Sequence, residues 1–148
     1  MNRSEAAANS MLKEKMNCAQ AVLTAFCEEL DMEKEQALRV AMGFGGGMGH
    51  TGGICGAVTG AYMVIGLKMD LNGDNLQVCK EKAYVRVNEF TARFKERQQS
   101  VLCGDLLGYD LRDPEQAKAA KETGAIAAKC PGFVREAIKI LEEIGIGD

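Results

Sequence analysis

The 148-residue chain lacks several features that define common classes of binding protein. It has no tryptophan and only 5% aromatic residues, so we expect no aromatic platform for stacking on bases. Its formal net charge is −3, so we expect no nucleic-acid partner. Hydrophobic residues make up 47% and charged residues 26%, which is the balance of a soluble globular protein. The length predicts a single domain over residues 1–148.

Targeting and membrane signals are also scarce. No apolar segment follows residues 1–5, so we expect no secretory signal and a cytoplasmic location. Residues 40–67 contain no Asp, Glu, Lys or Arg, which could suggest a membrane span. Ten of these residues are glycine, however, and the apolar part over 54–67 is too short to cross a bilayer. We therefore expect no membrane insertion and a buried central helix.

Apolar residues recur at helical spacing along most of the chain, and no alternating strand pattern is visible. A first helix is expected over about residues 4–15. Residues that favour the N-cap position predict further helix starts at Asn17, Asp31, Asp74 and Asp113. A last helix is expected to start near Pro131. The sequence predicts an all-α, single-domain helical bundle around a central glycine-rich helix over about residues 54–69.

A run of glycines precedes this central helix, in a predicted loop over residues 43–53. Residues 47–52 match G-x-G-x-x-G formally, but a dinucleotide site needs a preceding strand, which is not predicted. Close helix packing explains the glycines better, because Gly52, Gly56 and Gly60 recur every four residues. The same small-residue helix could serve an interface, so a homodimer is also expected. A small-molecule binding module that uses the glycine loop stays an alternative.

Six cysteines are present, without a Cys-x-x-Cys pair. In a reducing compartment they indicate free thiols, a metal site or a catalytic disulfide. Cys27 and Cys79 lie in apolar stripes, which predicts that they fill the core. The other four lie beside helix-starting or loop-forming residues: Cys18, Cys55, Cys103 and Cys130. Three of these, all but Cys103, are expected at helix starts, where free N–H groups favour a thiolate.

Cys55 is the residue expected to react first when no metal is bound. It follows two glycines at the expected start of the central helix, so no bulky side chain shields it. Its disulfide partner would be Cys18 or Cys130, and the sequence does not choose between them. The alternative is that Cys55 is buried in a tight helix contact and inert. His50, the only histidine, could be a proton donor or a ligand near Cys55, or have neither role.

The pattern of cysteines resembles a known family. An isolated cysteine, then the hexapeptide Cys-Gly-Ala-Val-Thr-Gly at residues 55–60, then two more isolated cysteines are similar to the C_GCAxxG_C_C family of redox-active proteins. The resemblance covers the chain from residue 17 to residue 131. It places the family's four signature cysteines at Cys18, Cys55, Cys103 and Cys130, and leaves Cys27 and Cys79 outside the signature. It implies a redox role.

A further similarity, to the non-haem part of split-Soret cytochromes, implies an iron–sulfur cluster. No Cys-x-x-Cys-His haem attachment site is present, so a c-type haem is not expected. Two readings of the signature cysteines therefore stay open. As catalytic residues they would transfer electrons or exchange disulfides with a redox partner that the sequence does not identify. As metal ligands they would hold an iron–sulfur cluster, or a zinc ion in a non-catalytic protein.

Overall fold

The computed structural model describes residues 2–146, and its architecture is all-α, as predicted. Within that range the only β-type pairing is an isolated antiparallel bridge between Ile54 and Leu102. A 3₁₀ turn at Met42–Phe44 leads into a short helical turn at Gly45–Met48. The helices in chain order are α1 (Arg3–Lys13), α2 (Cys18–Thr24), α3 (Lys34–Ala41), α4 (Gly45–Met48), α5 (Gly56–Leu67), α6 (Leu76–Gln98), α7 (Cys103–Leu107), α8 (Pro114–Glu122) and α9 (Ala125–Glu143). None of these described helices has both the length and the apolar character needed to cross a membrane.

Two of the predicted helix starts are confirmed, and both depend on local side-chain caps. Asn17 forms a capping box with Gln20, in which each side chain accepts a 2.9 Å hydrogen bond from the other residue's backbone N–H. Asp113 accepts a hydrogen bond from the N–H of Glu115, and Pro114 occupies the first helical position of α8. These contacts fix where α2 and α8 begin.

Two other predicted starts are wrong, one by two residues and the other by one. Asp31 has a φ of 52°, and α3 begins only at Lys34, after Glu33 in extended conformation. A residue that caps a helix with its side chain typically has that extended backbone, whereas Asp31 is left-handed. Asn75 rather than Asp74 caps α6, by accepting a hydrogen bond from Val78. The carboxylate of Asp74 pairs with Lys82 at 2.6 Å instead.

The predicted start of the last helix near Pro131 is also wrong. Helix α9 begins at Ala125, after Gly124 with a φ of 76°, and Pro131 lies inside it. A proline inside a helix forgoes one backbone hydrogen bond. The helix nevertheless continues, and its downstream residues, including Val134 and Ile138, are fully buried. Packing of this apolar face against α1, α2 and α5 therefore outweighs the local preference of proline for a helix start.

Helix α5 is the central element, as predicted, and packs against α2, α6 and α9. Its closest contact is with α2, where Gly56 and Gly60 face Ala19. A Cβ atom at Gly56 would lie 2.8 Å from the backbone nitrogen of Ala19, and one at Gly60 would lie 2.9 Å from its carbonyl oxygen. The predicted close packing is confirmed for these two glycines. Gly52 is outside α5, in the preceding loop, with a φ of 74°.

One hydrophobic core runs through these helices, with residues such as Phe26, Phe90 and Leu141 fully buried. The small-residue face of α5, which suggested an interface, packs on α2 of the same chain. A homodimer therefore stays a prediction that needs another surface. The extent of a single domain over residues 1–148 also stays a prediction.

Candidate four-cysteine redox site

The four signature cysteines come from four separate elements and line one cavity of about 120 Å³, here called the four-cysteine cavity. Cys18 is the first residue of α2, Cys55 caps the N-terminus of α5, and Cys103 is the first residue of α7. Cys130 lies inside α9, so its predicted position at a helix start is wrong. All four are buried, with between 2% and 8% of their surface exposed. No disulfide joins any two of the six cysteines, all of which lie within the described residues.

The backbone bridge between Ile54 and Leu102 holds Cys55 beside Cys103. The N–H of Cys55 donates to the carbonyl of Val101, and the N–H of Cys103 donates to the carbonyl of Gly53, both at 2.7 Å. Successive side chains alternate in an extended pair. Ile54 and Leu102 are accordingly 36% and 42% exposed, while the cysteines that follow them point inward. The sequence carries no strand pattern here, so this arrangement was not predicted.

The glycines set the distances between the segments that carry the thiols. At Gly56, a Cβ atom would lie 3.2 Å from the Cβ atom of Cys18, so the missing side chain lets α2 approach the start of α5. At Gly47, which has a φ of 70°, a Cβ atom would lie 2.6 Å from the Cβ atom of Cys103. Gly46 and Gly47 of the glycine run thus form part of the wall of the cavity.

The pKa of the Cys18 thiol is linked to those of both Cys130 and Cys55. The hydrogen bond from Cys18 lowers the pKa of Cys55, and burial opposes this effect. The backbone N–H groups of Ala57 and Val58, in the first turn of α5, lower the pKa of Cys55 further, although Cys55 makes no capping hydrogen bond of ordinary geometry. The pKa of Cys130 is also lowered by Cys18, against burial and the charge of Cys55.

The two remaining thiols are held in the protonated form. The pKa of Cys18 is raised well above its ordinary value by its hydrogen bonds to Cys130 and Cys55 and by burial. Burial raises the pKa of Cys103 to about 12, with smaller contributions from the charges of Cys55 and Cys130. One S–H group can donate to only one acceptor at a time. Cys55, with its additional backbone donors, is therefore the thiol that the site best stabilises as a thiolate.

The rest of the lining is mostly apolar, and sequence reasoning missed it. It comes from α1, α7, α9 and the segments beside them, and includes Met11, Met16, Leu107, Leu111, Ile126 and Phe133. Among the described residues that line the cavity there is no Lys, Arg, Asp or Glu, and His50 is the one titratable side chain besides the thiols. No local sequence signal marks these apolar residues, because they share the cavity only through the packing of α1 and α9.

Cys27 and Cys79 are buried away from the four-cysteine cavity, as predicted. The thiol of Cys27 donates to the carbonyl of Leu23 at 3.8 Å, and burial raises its pKa. The thiol of Cys79 donates to the carbonyl of Asp70 at 3.4 Å. Both thiols are therefore satisfied by nearby backbone.

The thiols surround the cavity rather than meeting at one point. Over residues 2–146, no group of three or more His, Cys, Asp or Glu side chains is placed to hold a metal ion in the present side-chain positions. The donor set itself is four cysteine sulfurs, the ligand type of iron–sulfur clusters and of structural zinc sites.

The fold and the site define an all-α protein with four buried cysteines around one cavity. The chain belongs to the C_GCAxxG_C_C family, whose model is described as "Putative redox-active protein (C_GCAxxG_C_C)" and matches residues 16–144. It is also similar to a protein of Archaeoglobus fulgidus that is described only as uncharacterized. The two are 29% identical over 138 residues, which cover 88% of this chain and 85% of the relative. No solved structure matches the chain.

Proposed function

We propose that the protein transfers electrons through an iron–sulfur cluster held by the four signature cysteines. The observation that carries the proposal is that four buried thiols, from four separate elements, enclose one apolar cavity of about 120 Å³. Iron–sulfur clusters are held by cysteine thiolates, and the reduction potential of a cluster depends on its charge, the hydrogen bonds to sulfur and its exposure to solvent. The cluster would supply one-electron transfer when bound.

The electrostatics of the cavity support this proposal. Several thiolates in one apolar cavity repel one another and are poorly solvated. No lysine or arginine lines the described cavity, so the protein supplies no permanent cation to offset such charge. A bound metal centre would supply it, and a coordinated thiol is deprotonated. Cys55, with backbone N–H groups beside its sulfur, would be the first thiol to bind as a thiolate.

The test is to purify the protein without oxygen and record its visible absorption with its iron, zinc and acid-labile sulfide content. We expect a brown chromophore that dithionite bleaches and that Cys103→Ser removes. The matched control is Cys79→Ser, because Cys79 is buried outside the cavity and should leave the chromophore unchanged. Colourless protein with one zinc per chain would contradict the proposal in favour of a structural zinc site.

A second candidate, thiol–disulfide exchange, is favoured because Cys18, Cys55 and Cys130 line one cavity and the pKa of Cys18 is linked to those of the other two thiols. In this reaction two neighbouring thiols lose two protons and two electrons and form one S–S bond. A disulfide of the redox partner accepts them and becomes two thiols. Cys18 would be common to both possible bonds, Cys18–Cys55 and Cys18–Cys130.

Colourless, metal-free protein would favour this second candidate over the cluster. Peptide mapping after oxidation by diamide should then find Cys18 in the first disulfide. If that disulfide instead joins Cys103 to another cysteine, or if no disulfide forms, exchange through Cys18 is contradicted. A small-molecule binding module would remain in the latter case.

A further inference from the structure

The four-cysteine cavity has one exposed residue in its lining. Of the described residues that line it, His50 is exposed, whereas all the others are buried or partly buried. An exposed residue that also lines a cavity has the cavity on one side and solvent on the other. His50 therefore lies at the mouth through which a small molecule would reach the buried thiols.

The position of the His50 side chain is set by an unusual backbone turn. His50 has a φ of 64°, and its N–H donates to the carbonyl of Gly45 at 3.0 Å. Its ring lies against Gly46, where a Cβ atom would be 2.7 Å from the ring Cγ atom. Gly46 itself has a φ of 63°, a conformation that favours glycine. The turn thus holds the imidazole against a position that carries no side chain.

A left-handed conformation at a non-glycine residue is strained and persists where the surrounding structure requires it. Glycine would fit the turn without strain, yet an imidazole is present. The cavity behind it contains the chain's four clustered thiols, which are sensitive to oxidation and to competing metals or chelators. A bulky planar side chain at the mouth restricts what reaches them.

From this placement we propose that His50 is the cover of the four-cysteine cavity and sets the size of the reagents that reach its thiols. The reagents whose access His50 limits are oxidants, alkylating agents and metal chelators. The role is steric, so it does not depend on whether the site holds a cluster or exchanges disulfides. If the proposed electron transfer fails, the effect of His50 on access can therefore still be tested. If His50 does not limit access, the electron-transfer proposal is likewise unaffected.

The test compares the full-length wild-type protein with His50→Ala, purified without oxygen. For metal-free protein, the measurement is the alkylation rate of each cysteine with iodoacetamide and with a bulky maleimide, resolved by peptide mapping. For protein that carries metal, it is the rate at which a chelator removes the metal. The matched control is Met48→Ala, because Met48 is exposed in the same loop, also has a positive φ and does not line the cavity.

We expect His50→Ala to raise the alkylation rate of the cavity thiols, or the rate of metal loss, several-fold, with the larger change for the bulky reagent. Cys27 and Cys79 serve as internal controls and should keep their wild-type rates. His50→Phe should restore slow labelling, because an aromatic ring again covers the mouth. If His50→Ala is poorly folded by circular dichroism, His50→Gly replaces it, since glycine accepts a positive φ without strain.

Equal rates of alkylation or metal loss in the wild type and in His50→Ala would overturn the inference. So would an equal increase in Met48→Ala, since the change would then reflect loop mobility. Faster labelling of Cys27 and Cys79 would also overturn it, because it would indicate general opening of the fold.

Discussion

Replacing Gly60 by alanine should destabilise the protein, although alanine is the better helix former. The Cβ atom would lie 2.9 Å from the carbonyl oxygen of Ala19 and 3.1 Å from both the Cα atom of Ala19 and the Cβ atom of Val22. Two of these atoms are backbone atoms of α2, so no side-chain rotation can relieve the contact. Helix α2 would have to move away from α5.

The expected magnitude follows from two opposing effects. Overpacking a well-packed contact costs about 1–3 kcal/mol, and a backbone contact belongs to the upper part of that range. Replacing glycine by alanine inside a helix stabilises it by about 1 kcal/mol. The net loss in the free energy of unfolding should therefore be about 1–2 kcal/mol. With a urea m-value of about 2 kcal/mol/M, the unfolding midpoint would fall by about 0.5–1 M.

The matched control is Gly66→Ala in the same helix. Nothing lies within 4 Å of a Cβ atom at Gly66, so the substitution should stabilise the protein by about 0.5–1 kcal/mol. Both variants are measured by circular dichroism in urea, in the same metal state as the wild type. The reasoning is refuted if Gly60→Ala is as stable as the wild type, or if Gly66→Ala loses as much stability as Gly60→Ala.

Three further predictions concern the thiols and the association state. In metal-free protein, iodoacetamide labelling of Cys55 should begin at a pH below the ordinary thiol pKa. The hydrogen bond from Cys18 lowers the pKa of Cys55, so Cys18→Ala should move the labelling to higher pH. If Cys103 is labelled before Cys55, this prediction is contradicted. The free energy of unfolding should fall as pH rises above the ordinary thiol pKa of about 8.5, because unfolded Cys103 ionises while folded Cys103, with a pKa of about 12, keeps its proton. Cys103→Ala should make that fall shallower, and an unchanged slope would count against the burial argument. Sedimentation should detect a homodimer, and a monomer at high concentration would remove that prediction.

Apart from the central position of α5 and its close packing at Gly56 and Gly60, the features that the sequence predicted correctly are those set over a few residues. The caps at Asn17 and Asp113 need only a side chain and N–H groups two or three positions later. The burial of Cys27 and Cys79 follows from helical apolar stripes. Even so, local preference alone failed at Asp31, where the backbone is left-handed.

Tertiary structure decided the features that depend on distant parts of the chain. Helix α9 runs through Pro131 because its apolar face is buried against other helices, which outweighs one lost hydrogen bond. Cys55 and Cys103 meet through a single backbone bridge between segments far apart in sequence, where no strand pattern exists.

The cysteine signature by itself determined the family and identified the four thiols of the candidate site. That these thiols enclose one cavity, that Cys18 links two of them, and that His50 lies at the mouth were decided by packing. The physical reason is the distance along the chain over which each interaction acts. Caps and helical periodicity act within a turn of the chain, whereas a cavity exists only after α2, α5, α7 and α9 have packed together.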